Sequence, residues 1–149
     1  MTTPIVRINA AANITVTSAN SVANNAFANS ADVMRLQQSA MSIAALLADF
    51  RLTSVTFATA PVGGLVQLVL VDRKFDGTQG PTPASTLMPN RIYTFSPVPL
   101  ASNASTGWTM GIDGVPLTAD QDAWLYNNGT AYTLNSGWVL TAQPWSPGT

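Results

Sequence analysis

"LVQLVLV", Leu65 to Val71, is the stretch on which the reading of this chain turns. It is an apolar run broken by a single polar residue, Gln67, with Gly63 and Gly64 before it and Asp72, Arg73 and Lys74 after it. It is too short for an ordinary helix and too uniformly apolar for a sheet with one wet face. A strand of this kind is covered on both faces.

The segments around it have the same β texture. "VTFAT" (Val55–Thr59) precedes it; "RIYTF" (Arg91–Phe95), "WTMGID" (Trp108–Asp113), "AWLYN" (Ala123–Asn127), "AYTL" (Ala131–Leu134) and "WVLTA" (Trp138–Ala142) follow. Each is short, and the words between them ("APVGG", "GTQGPTP", "SPVP", "DGVPL", "NNG") are Gly- and Pro-rich turns. In "YNNGTAY" the Asn-Gly pair suits a tight hairpin turn. Every proline but Pro4 falls after residue 60, mostly in positions that read as loops. No repeat of solenoid period is present. The pattern predicts a mainly β fold, an antiparallel β-sandwich or jelly-roll-like domain over 52–149.

Upstream the texture changes. "SADVMRLQQSAMSIAALLADF" (Ser30–Phe50) has Ser30 as an N-cap, Asp32 in the first turn and no Gly or Pro. Val33, Leu36, Ala40, Ile43, Leu47 and Phe50 step by three and four, a heptad seam. The spacing predicts one α-helix over 30–51. Met34, Met41, Ala44 and Leu46 lie off the seam, so the helix is apolar on more than one side. It docks on its own sheet or is shared between copies; in the second case Val33, Leu36, Ile43, Leu47 and Phe50 carry self-association. Residues 1–29 form an N-terminal arm rich in Ala, Asn, Thr and Ser. "IVRIN" (Ile5–Asn9) and "NITVT" (Asn13–Thr17) alternate within it, so it is either a pair of short strands or an extended arm that orders on a neighbour.

Composition narrows the function classes. Apolar residues make up 46% of the chain, a globular level, while charged residues are only 9% against about 25% usually. The surface is therefore built from Thr, Ser, Asn, Gln and backbone. With a net charge of −1, one lysine and scattered arginines, no cluster of cations awaits nucleic acid. Cys, His and Glu are absent, which removes a disulfide frame, a Cys-based zinc site and the usual base of a nucleophilic triad. "MTTPIVRINA" lacks the pattern of a signal peptide, so synthesis in a cytoplasm without a secretion signal is expected. The apolar run "AMSIAALLA" falls well short of a membrane span. No cofactor is implied.

"VDRKFDGTQGPTP" (Val71–Pro83) concentrates charge at Asp72, Arg73, Lys74 and Asp76. Asp72 and Asp76 lack the alternating ligands and closing Glu of a calcium loop such as the EF-hand. The neighbouring Arg73 and Lys74 would keep them ionised, against the raised pKa a general acid needs. A turn that supplies rim contacts between subunits fits best. Asp120 and Asp122 could meet Asp113 around calcium, or form a polar turn ahead of the next strand. Trp124 and Tyr126 share one face of a strand; exposed together with Trp138 they would make a platform for stacking on a cell-surface glycan, and otherwise they belong to a core or an interface. The sequons at Asn13, Asn103 and Asn128 are read as chance. No residue is nominated as catalytic or metal-binding.

In "VDRKFDGTQGPTPASTLMPNRIYTFSPVP", "STGWTMGIDGVPL" and "DAWLYNNGTAYTL" the chain resembles small virion structural proteins of tailed bacteriophages; the likeness covers about Leu65 to Leu134. It implies a capsid decoration (cement) protein or a short head or tail fibre, commonly trimeric, with the virion as its destination. On that reading the partners are further copies of the chain and the major capsid or tail proteins. The arm around Ile5, Val6, Arg7 and Ile8 would dock the subunit on the particle. The contrasting expectation is a carbohydrate- or receptor-binding β-sandwich module using Trp124, Tyr126 and Trp138, with calcium at Asp120 and Asp122. A small glycosidase built on the aspartates is a third.

Overall fold

The computed structural model describes residues 6–9, 13–36, 47–59, 65–74, 76, 78–84, 86, 89, 91–95, 108–117, 120–129 and 132–148. In chain order the strands are β1 (Val6–Asn9), β2 (Ile14–Thr17), β3 (Ala26–Phe27), β4 (Met34–Leu36) and β5 (Leu47–Val55). Then come β6 (Leu65–Asp72), β7 (Ile92–Thr94), β8 (Trp108–Pro116), β9 (Gln121–Asn128) and β10 (Val139–Gly148). They form two antiparallel sheets packed as a sandwich. In the first, β1 and β2 lie along one edge of β10, followed by β5 and β8. In the second, β3 and β4 lie along one edge of β9, followed by β6 and β7.

Both paired edges are single strands that have been split. Val6 stands opposite Gly148 and Asn9 opposite Trp145; the pairing resumes with Ile14 opposite Ala142 and ends with Thr17 opposite Val139. Gln143 and Pro144 of β10 lie between the two pairings and belong to neither. The even-numbered residues of β10 turn their backbone toward this edge, as the bond from Ser18 N–H to the Trp138 carbonyl shows. The N–H that Pro144 lacks would therefore point into the step, where no partner is required. This is how a central strand tolerates proline.

On the second sheet Phe27 faces Tyr126 and Met34 faces Ala123, so six residues span two. A 3-10 turn, Ser30–Asp32, absorbs the excess, with the Asn29 side chain accepting from Ala31 N–H. The buried Asp32 carboxylate accepts from the N–H groups of Ala19 and Asn20 and from the Asn20 amide, tying the turn to the end of β2.

One core fills the space between the sheets. Ala48, Phe50 and Leu52 of β5 and Leu140 and Ala142 of β10 face Val66, Leu68 and Leu70 of β6 and Ala123 and Leu125 of β9. Trp138, Phe57 and Leu134 close one end. Each large side chain sealed in this way contributes about 1.5–3 kcal/mol of burial free energy.

The expected helix is not present among the described residues. Met34–Leu36 and Leu47–Val55 are strands, and 37–46, with Ala40 and Ile43, lies outside the described residues. The heptad spacing coexists with a second pattern, Ala48–Phe50–Leu52, which is the inward face of a strand. Pairing with β10 on one side and β8 on the other serves the β5 backbone along most of its length, and such tertiary pairing overrides weak helix propensity. Leu47 and Phe50, neighbours on the proposed seam, have opposite fates: Phe50 is fully buried and Leu47 half-buried. Leu36 is also sealed in the core, and Val33 is half-buried against aromatic neighbours. Val33, Leu36, Leu47 and Phe50 therefore share no exposed helical face; Ile43 lies outside the described residues. The "NNG" hairpin is corrected as well: Leu134 bridges to Val22 and Phe57 instead of to β9.

Candidate functional site

The expectation that "LVQLVLV" is covered on both faces is met from Leu68 to Val71, while Leu65 at its start is exposed. Val66, Leu68 and Leu70 enter the main core, whereas Val69 and Val71 belong to a second cluster on the opposite face with Trp124 and Tyr126. Phe27 and Val33 pack against that cluster. The Phe27 ring lies 4.6 Å from the Tyr126 ring and meets Trp124 edge-on at 6.4 Å, geometries that aromatic quadrupoles favour. Leu125 points inward, as the period-2 reading requires, but this does not expose its neighbours. Trp124 is 2% exposed, Tyr126 7% and Trp138 0%, so these three offer no stacking surface to a sugar.

The charged stretch after β6 folds back beside this second cluster. Arg73 N–H donates to the Asp120 carbonyl, and Lys74 N–H to the Thr78 carbonyl. The Asp76 carboxylate accepts from the Thr78 N–H at 2.8 Å and from its hydroxyl at 2.7 Å, bonds that hold its carboxyl below the ordinary value. Gly80 then passes so close that a β-carbon there would sit 2.3 Å from the Asp72 carbonyl oxygen and 3.0 Å from Val71 Cγ1. Only glycine permits that approach.

The nominated rim residues are mostly engaged within the chain. Asp72 accepts from Arg91 at 3.1 Å and from the Gln121 amide at 2.7 Å; Arg91 also donates to the Pro116 carbonyl, linking the two sheets. Arg73 Nη1 donates to both carboxylate oxygens of Asp122, at 2.8 and 2.9 Å. That ion pair is nearly dry, with side chains 11% and 3% exposed. Lys74 is exposed. Asp113 pairs with Arg51, and among the described residues no group of acids is arranged to hold a metal ion. Above the Arg73–Asp122 pair opens a cleft of about 150 Å³ lined by Ser30, Val33, Arg35, Arg73, Gln79 and Asp122. Arg35 stands opposite Asp122 in the β4–β9 register, so the buried carboxylate has an arginine on each side.

A second polar cluster lies on the outer face of the first sheet. Asp49, 6% exposed, accepts from Gly114 N–H at 2.8 Å, from Trp145 Nε1 at 3.1 Å and from the Arg7 guanidinium. Gly114, at φ +66, lies beside the β5–β8 register shift at Asp49 and aims its N–H at the carboxylate. Burial pushes the Asp49 carboxyl up, but the hydrogen bonds from Gly114, Trp145 and Arg7, with the charge of Arg7, outweigh it and leave the group below its ordinary value. The nominated arm is thus an edge strand: Arg7 is tethered, Ile8 is 46% exposed, the Val6 backbone pairs with Gly148, and Ile5 lies outside the described residues.

Sequence reasoning missed Asp49, Trp145 and Arg35. The first was hidden in a presumed helix end, the second lay beyond the last expected strand, and the third was an isolated cation without a motif. Lowered carboxyls such as Asp49 and Asp76 stay ionised, the reverse of what proton donation needs, and both hold structure in place. No described helix is long and apolar enough to cross a membrane. No family model matches the chain, and neither the curated proteins nor the solved structures yield a similar protein.

Proposed function

We propose that the chain is a non-enzymatic structural subunit of a bacteriophage virion: a capsid decoration (cement) protein or a short head or tail fibre. It self-associates, as a trimer, and docks on major capsid or tail proteins. The observation that carries this reading is the strand order. Counting β1 with β2 and β3 with β4 as two split strands leaves eight, and the sheets then run 1-8-3-6 and 2-7-4-5. All consecutive strands change sheet except the fourth and fifth. This is the order of a jelly roll, an architecture of viral capsid and lectin domains and of cupins.

Within that set, the composition favours a particle component. A cupin centre draws on histidine, which the chain lacks. A lectin reading would need Trp124, Tyr126 and Trp138 at the surface, and they are buried. A nearly uncharged surface suits a protein that ends against other subunits, since like-charge repulsion is small. With Leu36 and Phe50 enclosed, the apolar side chains left for contact among the described residues are Ile8, Leu65 and Ile92. Leu65 and Ile92 lie on the outer face of the second sheet. Gold-labelled chain added to phage particles and imaged by electron microscopy tests the reading: decoration of heads or tails at regular positions is expected, and unlabelled particles at saturating protein would refute it.

A further inference from the structure

We infer that β1 is an exchangeable strand: in the assembled protein it leaves its own sheet and pairs with β10 of a second copy, carrying Arg7 onto that copy's Asp49. The inference rests on the self-association proposed above and names the strand and the surface that carry it. Among the described residues, the ties shown for β1 are its pairing with β10, from Val6 opposite Gly148 to Asn9 opposite Trp145, and the Arg7 contacts with Asp49 and the Trp145 ring. These ties lie at the edge and on the outer face of the first sheet. Ile8 is 46% exposed and belongs to neither apolar cluster. Parting β1 from the sheet therefore leaves the core between the sheets closed.

The connection from β1 to β2 has length to spare. From Asn9 to Ile14 the edge takes five steps, while β10 takes three from Trp145 to Ala142. Three strand steps cover about 10 Å; five extended steps reach about 17 Å. The residues between, Ala10, Ala11, Ala12 and Asn13, bring no charge and no bulky apolar side chain. Beside them Pro144 has no N–H to leave unpaired.

The receiving site is preformed. The Asp49 carboxylate is 6% exposed and is held by Gly114 N–H and Trp145 Nε1, so little ordering remains when a guanidinium arrives. Its charge complements Arg7 whichever copy supplies that arginine. Exchange thus keeps every bond of the closed chain and adds what two copies bury against each other. Swapping an identical element is for that reason a low-cost route to oligomers, and head-to-tail exchange whose rotation closes makes a ring. Three such exchanges make the trimer.

The experiment is disulfide trapping in the full-length chain, which has no Cys of its own. Ile8 stands opposite Ser146, and Cα atoms so paired lie about 4.5–5.5 Å apart, within reach of a disulfide. The double variant Ile8→Cys, Ser146→Cys is oxidised at micromolar concentration and run on a denaturing gel without reductant, with each single variant as control. Covalent species of two and three chains are expected from the double variant and single chains from either control. In parallel, Arg7→Ala, which removes an exposed side chain, is expected to weaken assembly of the untrapped chain about fivefold for each exchanged strand. A disulfide closed within one chain of an assembled trimer, or assembly unchanged by Arg7→Ala, would overturn the exchange and leave the assembly standing. Single copies by sedimentation before oxidation would overturn the assembly reading and the exchange with it. Exchanged trimers that fail to decorate particles would sink the virion reading alone.

Discussion

Arg7 on β1 reaches across Trp145 of β10 to pair with Asp49 on β5, 42 positions further along the chain. Its guanidinium carbon rides 4.4 Å above the indole, adding a cation–π contact to the ion pair. With the Gly114 N–H also on Asp49, one carboxylate binds every strand of the first sheet but β2. Because Asp49 sits below its ordinary value of 3.8 when folded, its contribution to stability is complete above that value and is lost as pH falls through the lowered one. Denaturant midpoints are expected to fall between pH 5 and pH 2 in the native chain and to fall less in Asp49→Asn. At pH 7 Asp49→Asn is expected to cost about 2–3 kcal/mol, since hydrogen bonds to a charged acceptor are lost. Arg7→Ala, removing a half-exposed partner, is expected to cost about 1 kcal/mol or less.

Strand and helix readings of 47–55 make opposite statements about Leu47 and Phe50. A heptad seam gives them equal weight. The sandwich buries Phe50 completely and Leu47 partly. Phe50→Ala is therefore expected to cost about 3–5 kcal/mol and Leu47→Ala about 1 kcal/mol, measured by urea unfolding. Equal losses would restore the seam.

Arg73 and Asp122 form a nearly dry pair, and a single replacement leaves the surviving charge stranded. Asp122→Leu or Arg73→Met alone is expected to cost about 3–5 kcal/mol, and the double replacement much less than the sum. A double-mutant cycle on thermal unfolding reads the coupling directly. Additive losses would mean that the pair is solvated.

Asn127 is fully buried, and its amide donates to the carbonyls of Val22, Ala23 and Tyr132. It joins the loop after β2 to the segment after β9. Asn127→Asp removes the donors and buries a charge in their place. A loss of about 3 kcal/mol or more is expected, with faster amide exchange at Leu134, whose N–H bonds the Val22 carbonyl.

The sandwich was legible because its strands alternate over strong, short apolar runs separated by turns. "LVQLVLV" announced a strand buried on both faces, and the two alternating pieces of the N-terminal region became β1 and β2. The helix misreading has a physical source: apolar residues at spacings of two, three and four coexist in "LLADFRL", and only the neighbours β8 and β10 decide between them. The extension of β10 through Pro144 and Pro147 was hidden because proline normally argues against a central strand, and its tolerance depends on a step in the edge beside it. Period-2 counting put Trp124 and Tyr126 on one face of the strand and Leu125 on the other, but could not tell that the Trp124 face is outer and yet covered. The ion pairs Arg7–Asp49 and Arg73–Asp122 join residues far apart in sequence, so no local pattern reveals them.

On the proposed function, copies of this chain assemble through surfaces other than the enclosed Leu36 and Phe50. Sedimentation equilibrium of the purified chain at micromolar concentration tests it most directly. The mass of three copies of the 15.6 kDa chain is expected, reduced when Leu65 and Ile92 are both replaced by Ser. A mass of one copy at every concentration, with the fold intact, would contradict it.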